Sequence, residues 1–232
     1  MSFLARLTNG YSRRRFAFLF FSLLITMVAA PVFETLRLST QFMEVLLGLN
    51  ILAALVVTLF SFGNYVTLGL LLLLIVVRGA HALAGYQTLL VTTQGIAALI
   101  CLVSICVMLR FSLLSKGSVS TERLFAALSV YLMLGVTCGV IFYIFEKQWP
   151  GSFSIHGSSL SGSRRMQMAE TLYFSFVTLG TLGYGDMTPI GAAARALAVA
   201  EAIGGQMYLV VVVARLVSLY EAPGDRGDSQ QG

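Results

Sequence analysis

The sequence predicts an all-α membrane protein with six transmembrane helices and a re-entrant segment between the fifth and the sixth. Three observations support this fold class. Of the 232 residues, 57% are hydrophobic and only 11% are charged, whereas a soluble domain is typically about 25% charged. The apolar residues form runs of about 20, the length that a bilayer requires. A glycine-containing stretch, 180–186, lies between the last two runs.

The first four predicted helices form a transmembrane domain, residues 1–114. Three arginines, Arg13 to Arg15, precede the first apolar run. A basic end followed by an apolar run and small residues also fits a signal peptide. The run is longer than the usual apolar region of such a peptide, so we favour a first membrane helix. The four helices are predicted at 16–33, 41–62, 65–84 and 88–109.

A short linker, 115–122, leads to a second predicted domain, 123–220. The last residues, 221–232, are expected to form a short disordered cytoplasmic tail because they are polar and terminal. The second domain contains, in order, a fifth helix at 124–145, a polar loop at 146–165, a short amphipathic helix at 169–179, the glycine-containing stretch and a sixth helix from about 192.

Six spans place both termini on one side of the membrane. Most basic residues that flank the predicted helices fall on that side, which is therefore predicted to be cytoplasmic. Arg164, Arg165 and Arg195 fall on the other side, where they flank the re-entrant segment rather than an ordinary loop. We expect a multi-pass protein in the lipid of a plasma or inner membrane. The basic residues on the cytoplasmic side are Arg13, Arg14, Arg15, Arg110, Lys116, Arg123 and Arg215.

Several function classes are disfavoured by the same sequence. Three cysteines, Cys101, Cys106 and Cys138, lie inside apolar runs, where a small core residue is the simplest interpretation. His81 and His156 stand alone, without metal-ligand spacing. We find no nucleophile–base pair and no phosphate-binding loop. We therefore expect no enzyme and no cofactor. The basic residues are scattered between apolar runs, so we also expect no nucleic-acid partner.

The stretch that begins at Thr181 reads Thr-Leu-Gly-Tyr-Gly-Asp. Gly183 and Gly185 alternate with larger residues, and glycine adopts positive φ at low steric cost. A backbone that alternates between left- and right-handed residues can turn successive carbonyls toward one axis. Rings of such oxygens would replace the hydration shell of a cation. One chain offers a single segment and has no internal repeat, so we expect a homotetramer.

These residues resemble the filter of the potassium-channel pore family, whose usual sequence is TVGYG and whose carbonyl rings coordinate the ion. The resemblance covers residues 123–220. It implies an ion-binding filter at Thr181, Leu182, Gly183, Tyr184 and Gly185, with potassium as the permeant ligand. The Thr181 hydroxyl would complete the innermost site. Leu182 replaces the usual valine, and its side chain is expected to point away from the pore.

The resemblance implies a potassium-selective channel. Tyr184 favours potassium selectivity, because a nonselective relative of the family has aspartate at this position. It is expected to point back into the protein and hold the filter open. The alternatives are a nonselective cation channel and a nonconducting or accessory subunit that uses the pore fold for assembly. A related class, the ion transporters with four degenerate repeats, is disfavoured because the chain has none.

Four residues are expected to support the filter. In voltage-gated relatives an Asp after the filter bonds a Trp, and here the matching pair is Asp186 and Tyr173; a solvated Asp186 is the alternative. Glu201 is a carboxylate in a membrane span and so a functional candidate. It either faces the central cavity or lies behind the pore helix near Thr178, protonated or hydrogen-bonded. Helical register favours the second position.

The sixth helix contains Gly204 and Gly205. The family resemblance implies a gating hinge here, and close helix packing is the alternative, since small residues also permit it. Gln206, Leu209 and Val213 follow on one helical face by their spacing. We expect this face to line the cavity.

The predicted fourth helix, 88–109, contains no Lys or Arg. Voltage-gated relatives carry an arginine at every third position there, so the first four helices are predicted to be a scaffold rather than a voltage sensor. Arg78 and Glu44 are the charges nearest the interior of this domain, and they either pair or reach the surface separately.

Overall fold

The computed structural model describes residues 15–29, 46–55, 57, 69, 72–73, 75–76, 87–114, 121–159 and 166–221. Six helices have defined bounds in these ranges. They are α1 Arg15–Ala29, α2 Leu46–Leu55, α3 Gln87–Leu114, α4 Thr121–Gln148, α5 Met168–Leu179 and α6 Ala192–Glu221.

Three of the described helices are long and apolar enough to cross a membrane. The spans are Gln94–Ser112 within α3, the whole of α4, and Ala192–Ser218 within α6. They correspond to the predicted fourth, fifth and sixth helices. Helices α1 and α2 are apolar but shorter. Most of the predicted third helix, the Glu44–Arg78 pair, the linker up to residue 120 and the tail beyond 221 lie outside the described residues.

Helix α4 occupies the centre of the described helices and packs against α3, α5 and α6. In a bilayer, van der Waals packing and interhelical hydrogen bonds hold helices together. Two glycines, Gly135 and Gly139, let α5 approach α4 closely. The Tyr208 hydroxyl of α6 donates to the Ala127 carbonyl of α4 at 2.6 Å. A core of buried apolar side chains from α1 and α2 closes the other side of α4.

A polar cluster joins α1 to α2. Asn50 is buried, and its side-chain amide donates to Thr26 Oγ1 and to the Leu46 carbonyl. Ser22 Oγ donates to Asn50 Oδ1 at 2.7 Å. Because every one of these contacts crosses between helices or satisfies a helix carbonyl, the cluster fixes how α1 and α2 pack.

The structure contains a small antiparallel sheet that the all-α prediction omitted. Its strands are β1 Phe153–Ile155, β2 Ser158–Ser159 and β3 Met187–Pro189, in the order β2-β1-β3. The prediction of a polar loop over the whole of 146–165 was therefore wrong in part, and α4 also extends into this segment as far as Gln148. Strands of two or three residues are too short to show an alternating pattern in the sequence.

Three aromatic rings connect this sheet to the helices. Phe142 of α4, Phe153 of β1 and Phe174 of α5 meet edge to face, with centroid distances of 5.1 to 5.7 Å. Phe142 and Phe153 are fully buried. Edge-to-face aromatic pairs each contribute about 0.5–1.5 kcal/mol beyond their buried area. The cluster therefore packs β1 against α4 and the middle of α5.

Candidate functional site

The loop after α5 has a backbone of alternating handedness. Thr181, Gly183 and Gly185 have φ of 56°, 58° and 78°, whereas the intervening Leu182 and Tyr184 are not in the left-handed region. The positive φ expected at the two glycines is confirmed. Thr181 also has positive φ, which is uncommon for a β-branched residue and costs energy. Alternation of this kind turns successive carbonyls toward the same side of the chain.

The first amides of the loop are held by the end of α5. Gly180 N–H donates to the Phe176 carbonyl at 2.9 Å, Thr181 N–H to the Thr178 carbonyl at 3.0 Å, and Leu182 N–H to the Val177 carbonyl at 2.9 Å. Helix α5 ends at Leu179, as expected. Thr178, predicted as filter support, therefore contributes its carbonyl to the loop.

The far end of the loop is held by Asp186. Tyr173 Oη donates to Asp186 Oδ2 at 2.8 Å, and the Met187 amide donates to Oδ1 at 3.0 Å. The expected contact between Tyr173 and Asp186 is thus confirmed. A phenol is protonated at neutral pH, so the Tyr173 hydroxyl is the donor in this contact. The His156 amide donates to the Asp186 carbonyl at 2.7 Å, which ties the loop to the β1–β2 turn.

The two large side chains of the loop line a groove. Leu182 and Tyr184 border it together with Tyr173, Phe176 and Val177 of α5, and its volume is about 400 Å³. Both side chains therefore lie on the same side as α5. In the single chain they remain largely exposed, 58% for Leu182 and 67% for Tyr184. On its open side, no described residue of the chain covers Leu182 or Tyr184.

Glu201 of α6 lies behind α5 and is only 5% exposed. Its Oε1 is within hydrogen-bonding distance of Ser175 Oγ, and Ser175 Oγ is also 2.7 Å from the Gly135 carbonyl of α4. The position favoured by helical register is confirmed, although the partner is Ser175 rather than a group at Thr178. Tyr131 of α4 donates to the Leu179 carbonyl at 3.0 Å. Three helices thus meet behind the loop.

Gly204 and Gly205 lie within a continuous helix, so they do not interrupt α6. A Cβ at Gly205 would collide with the Leu179 side chain, whereas one at Gly204 would meet nothing within 4 Å. Close packing explains Gly205 and does not explain Gly204. The hinge role of both glycines stays a prediction.

The residues predicted to line a cavity are exposed or partly exposed on α6 in the single chain. Gln206 is exposed, Leu209 is partly exposed and Val213 is 57% exposed. Their role as cavity-lining residues stays a prediction.

Sequence analysis missed Glu146, which is 2% exposed at the end of α4. Its carboxylate accepts hydrogen bonds from the amides of Gly151 and Ser152 at 2.9 and 3.0 Å. The Ser152 carbonyl in turn accepts from the amides of Ile190 and Gly191, just before α6. A carboxylate directly after an apolar run was the available signal, but Glu146 was assigned to the polar loop.

A second missed feature is the sequence Gly-x-x-x-Gly at Gly135 and Gly139. Small residues at this spacing typically mark a close contact between membrane helices. A Cβ at Gly135 would lie 2.5 Å from the Phe176 ring, and one at Gly139 would lie 2.7 Å from the Leu172 side chain. The motif seats α5 against α4.

Together, these features define a class of protein: a helical membrane protein in which a short helix leads into a loop of alternating backbone handedness beside two long apolar helices. Within the described ranges, no group of three or more His, Cys, Asp or Glu side chains is arranged to hold a metal ion.

The comparisons with known proteins identify the family. Residues 128–222 match a family described as ion channel. Proteins called LctB from Bacillus caldotenax and Geobacillus stearothermophilus are 32% and 30% identical over 123 residues, which is 53% of this chain and 91% of each relative. Two-pore potassium channel 1 of Arabidopsis thaliana is 33% identical over 97 residues, 42% of this chain.

The chain belongs to the same family as the LctB proteins, and its residues 128–222 match an ion channel domain, which indicates a channel rather than an enzyme. It spans only 22% of the plant channel's length. The comparison with solved structures found no match.

Proposed function

We propose that this protein is a potassium-selective channel that conducts passively through its carbonyl loop. Four copies would surround one axis, with the carbonyls of Thr181, Leu182, Gly183 and Tyr184 coordinating the dehydrated ion. Gly185 would allow the chain to turn away at the outer end. The resemblance to a two-pore potassium channel supports potassium as the permeant ion.

The observation that carries this proposal is the alternating backbone at Thr181, Gly183 and Gly185. Irregular backbone at membrane depth is tolerated only where protein buries it or water reaches it. Residues 180–185 are exposed in the single chain, so protein within the chain does not bury them. A water-filled path lined by further copies would meet the requirement. We therefore propose that α5 and the loop form a re-entrant segment in a homotetramer.

Electrostatics at the end of α5 fits cation conduction. The C-terminal end of a helix carries about half a negative charge, which favours a nearby cation. Helix α5 ends at Leu179, directly before the carbonyl loop, so the negative end of its dipole lies next to the loop. The cavity below would be lined by Gln206, Leu209 and Val213.

The remaining topology follows from this arrangement. The chain would cross a plasma or inner membrane six times, and α3, α4 and α6 would form three of these spans. Both termini would then lie in the cytoplasm. The α1–α3 region would act as a scaffold beside the pore. Gly204 would be the better hinge candidate, because packing does not account for it.

The test is ion flux through the purified protein in liposomes. We expect potassium flux in the wild type and a reversal potential in mixed sodium and potassium that follows the potassium gradient. Tyr184→Asp should keep the tetramer but lose this selectivity, because the aromatic ring no longer packs beside α5. Tyr184→Phe is the matched control and should remain selective.

Two outcomes would contradict the proposal. A tetramer that carries no potassium would support the alternative of a nonconducting or accessory subunit. A wild type that passes sodium and potassium equally would support a nonselective cation channel.

A further inference from the structure

Three polar groups from three helices meet in a buried position behind the carbonyl loop. Ser175 of α5 is fully buried, with Oγ 2.7 Å from the Gly135 carbonyl of α4. The same Oγ is within hydrogen-bonding distance of Glu201 Oε1 on α6. The hydroxyl thus bridges the two long helices that flank α5.

The number of protons available to these contacts is limited. A serine hydroxyl carries one hydrogen and can donate only one hydrogen bond, although it can also accept. The Gly135 carbonyl is an acceptor only, and an ionised carboxylate is also an acceptor only. If Glu201 were ionised, one of the two contacts at Ser175 Oγ would hold two oxygens together without a hydrogen between them.

We propose that Glu201 carries a proton and donates it in a hydrogen bond to Ser175, which donates in turn to the Gly135 carbonyl. Both contacts then contain a hydrogen, and the three groups form a directed relay from α6 through α5 to α4. Glu201 and Ser175 act here as positioning residues for the segment that presents the carbonyl loop.

The surroundings of Glu201 agree with a neutral carboxyl. The groups that face it are Tyr131 and Cys138 of α4 and Ser175 of α5, none of which carries a positive charge. In the described structure its Oε2 is buried without a hydrogen-bond partner, apart from the weak thiol donor of Cys138, which lies against the carboxyl. An ionised carboxylate is strongly unfavourable in a buried position with so few hydrogen-bond donors, whereas a neutral acid is far less so.

The relay lies where it can influence conduction. Ser175 is one helical turn before Leu179, the last residue of α5, whose carbonyl accepts from Tyr131. Holding α5 between α4 and α6 holds the start of the carbonyl loop. The functional consequence rests on the proposed function; the proton on Glu201 does not.

The first experiment tests the proton directly by infrared difference spectroscopy of the purified wild-type tetramer. We expect a carbonyl-stretch band of a protonated carboxyl that disappears in Glu201→Gln. Ser175→Ala should keep the band and shift it, because the acid loses its acceptor. Glu146→Gln is the control and should leave the band in place. Absence of any band that Glu201→Gln removes would overturn the proposal.

The second experiment tests the relay in single-channel records. Glu201→Gln keeps a donor of similar shape, whereas Glu201→Met keeps the shape and removes the donor. We expect Gln to retain an open time close to that of the wild type. Met and Ser175→Ala should each shorten it about two- to tenfold, the effect of losing one hydrogen bond of about 0.5–1.5 kcal/mol. Unitary conductance should stay near the wild-type value in all three.

The two experiments separate the proposals. If Gln impairs the channel as strongly as Met, the charge of Glu201 is required and the relay is refuted. If the wild type never conducts, the proposed function fails, yet the infrared result still decides whether Glu201 is protonated.

Discussion

Helices α4 and α6 are both long and apolar, and both flank the carbonyl loop, but the chain covers them very differently. Of the most apolar 18-residue stretch of each helix, 61% is buried in α4 and 22% in α6. The buried positions of α6 follow a narrow stripe with spacings of three, four and seven residues, which is a single helical face. They are Ala194, Ala198, Glu201, Gly205 and Val212.

The difference shows that α4 packs mainly within the chain, whereas most of the α6 surface does not. Helix α4 uses its faces within the chain, for α3, α5 and α6. Helix α6 packs one stripe of residues against the rest of the described chain, and its other faces are available for the lipid and the neighbouring copies that the proposed function requires. Hydrophobicity alone does not distinguish the two, because a lipid-facing residue and a residue facing another helix are equally apolar. The exposed apolar residues of α6 include Val199, Ile203, Met207, Val210, Val213 and Val217.

The largest effect is expected where a backbone atom of α5 lies directly against α4. In Gly139→Ala the new Cβ would lie 2.7 Å from Leu172 Cδ2 and 3.0 Å from Leu172 Cα. A backbone atom cannot move aside as a side-chain end can, so we expect a loss of about 1–3 kcal/mol in the free energy of unfolding. Thermal unfolding of the purified protein measures it.

Gly95→Ala on α3 is the matched control, because a Cβ there meets nothing within 4 Å. It should be neutral or stabilising by up to about 1 kcal/mol, since alanine favours helix more than glycine does. Equal effects of the two substitutions would show that α4 and α5 are not packed through Gly139.

A smaller effect is expected on α6 from a pair of neighbouring glycines. Gly205→Ala meets the end of the Leu179 side chain, which can move in part, so we expect a loss of about 1 kcal/mol. Gly204→Ala meets nothing and should not destabilise the fold. If Gly204 is a hinge, its alanine variant should lower the open probability without changing thermal stability.

The two glycine variants therefore test helix packing and gating separately. Thermal unfolding and single-channel recording of the same two variants give the comparison. A Gly204→Ala channel that opens normally would remove the hinge role from this position, and a Gly205→Ala protein as stable as the wild type would contradict the contact with Leu179.

Local patterns in the sequence predicted much of the α4–α6 region. The short helix was expected at 169–179 and is Met168–Leu179; the fifth helix was expected at 124–145 and is Thr121–Gln148. Positive φ at Gly183 and Gly185 followed from glycine sterics alone. The contact between Tyr173 and Asp186 came from the family resemblance and was confirmed by the structure.

The features that were missed depend on contacts distant in the sequence. The sheet pairs Ser154 with Thr188, and Glu146 accepts from the amide of Ser152, whose carbonyl accepts from two amides just before α6. Positive φ at Thr181 is imposed by its neighbours, since a β-branched residue does not favour it. No pattern along one helix indicates that Ser175 lies between Gly135 and Glu201.

The smallest effect is expected from membrane voltage, and it concerns α3 rather than the α4–α6 region. Helix α3 contains one basic residue, Arg110, near its C-terminal end. A charge that crosses the whole membrane field contributes about 2.3 kcal/mol per 100 mV, and steep voltage dependence requires several such charges in each subunit. Because Arg110 lies at the end of the span Gln94–Ser112, it can cross little of the field.

We therefore expect a shallow conductance–voltage relation, and Arg110→Gln should leave its slope unchanged. The relation is measured in planar bilayers at symmetric potassium concentration. A curve that requires several gating charges per tetramer would mean that α3 moves as a sensor or that charges elsewhere cross the field. A slope that falls in Arg110→Gln would identify Arg110 as the mobile charge. It would also contradict the proposal that α1–α3 form a passive scaffold beside the α4–α6 region.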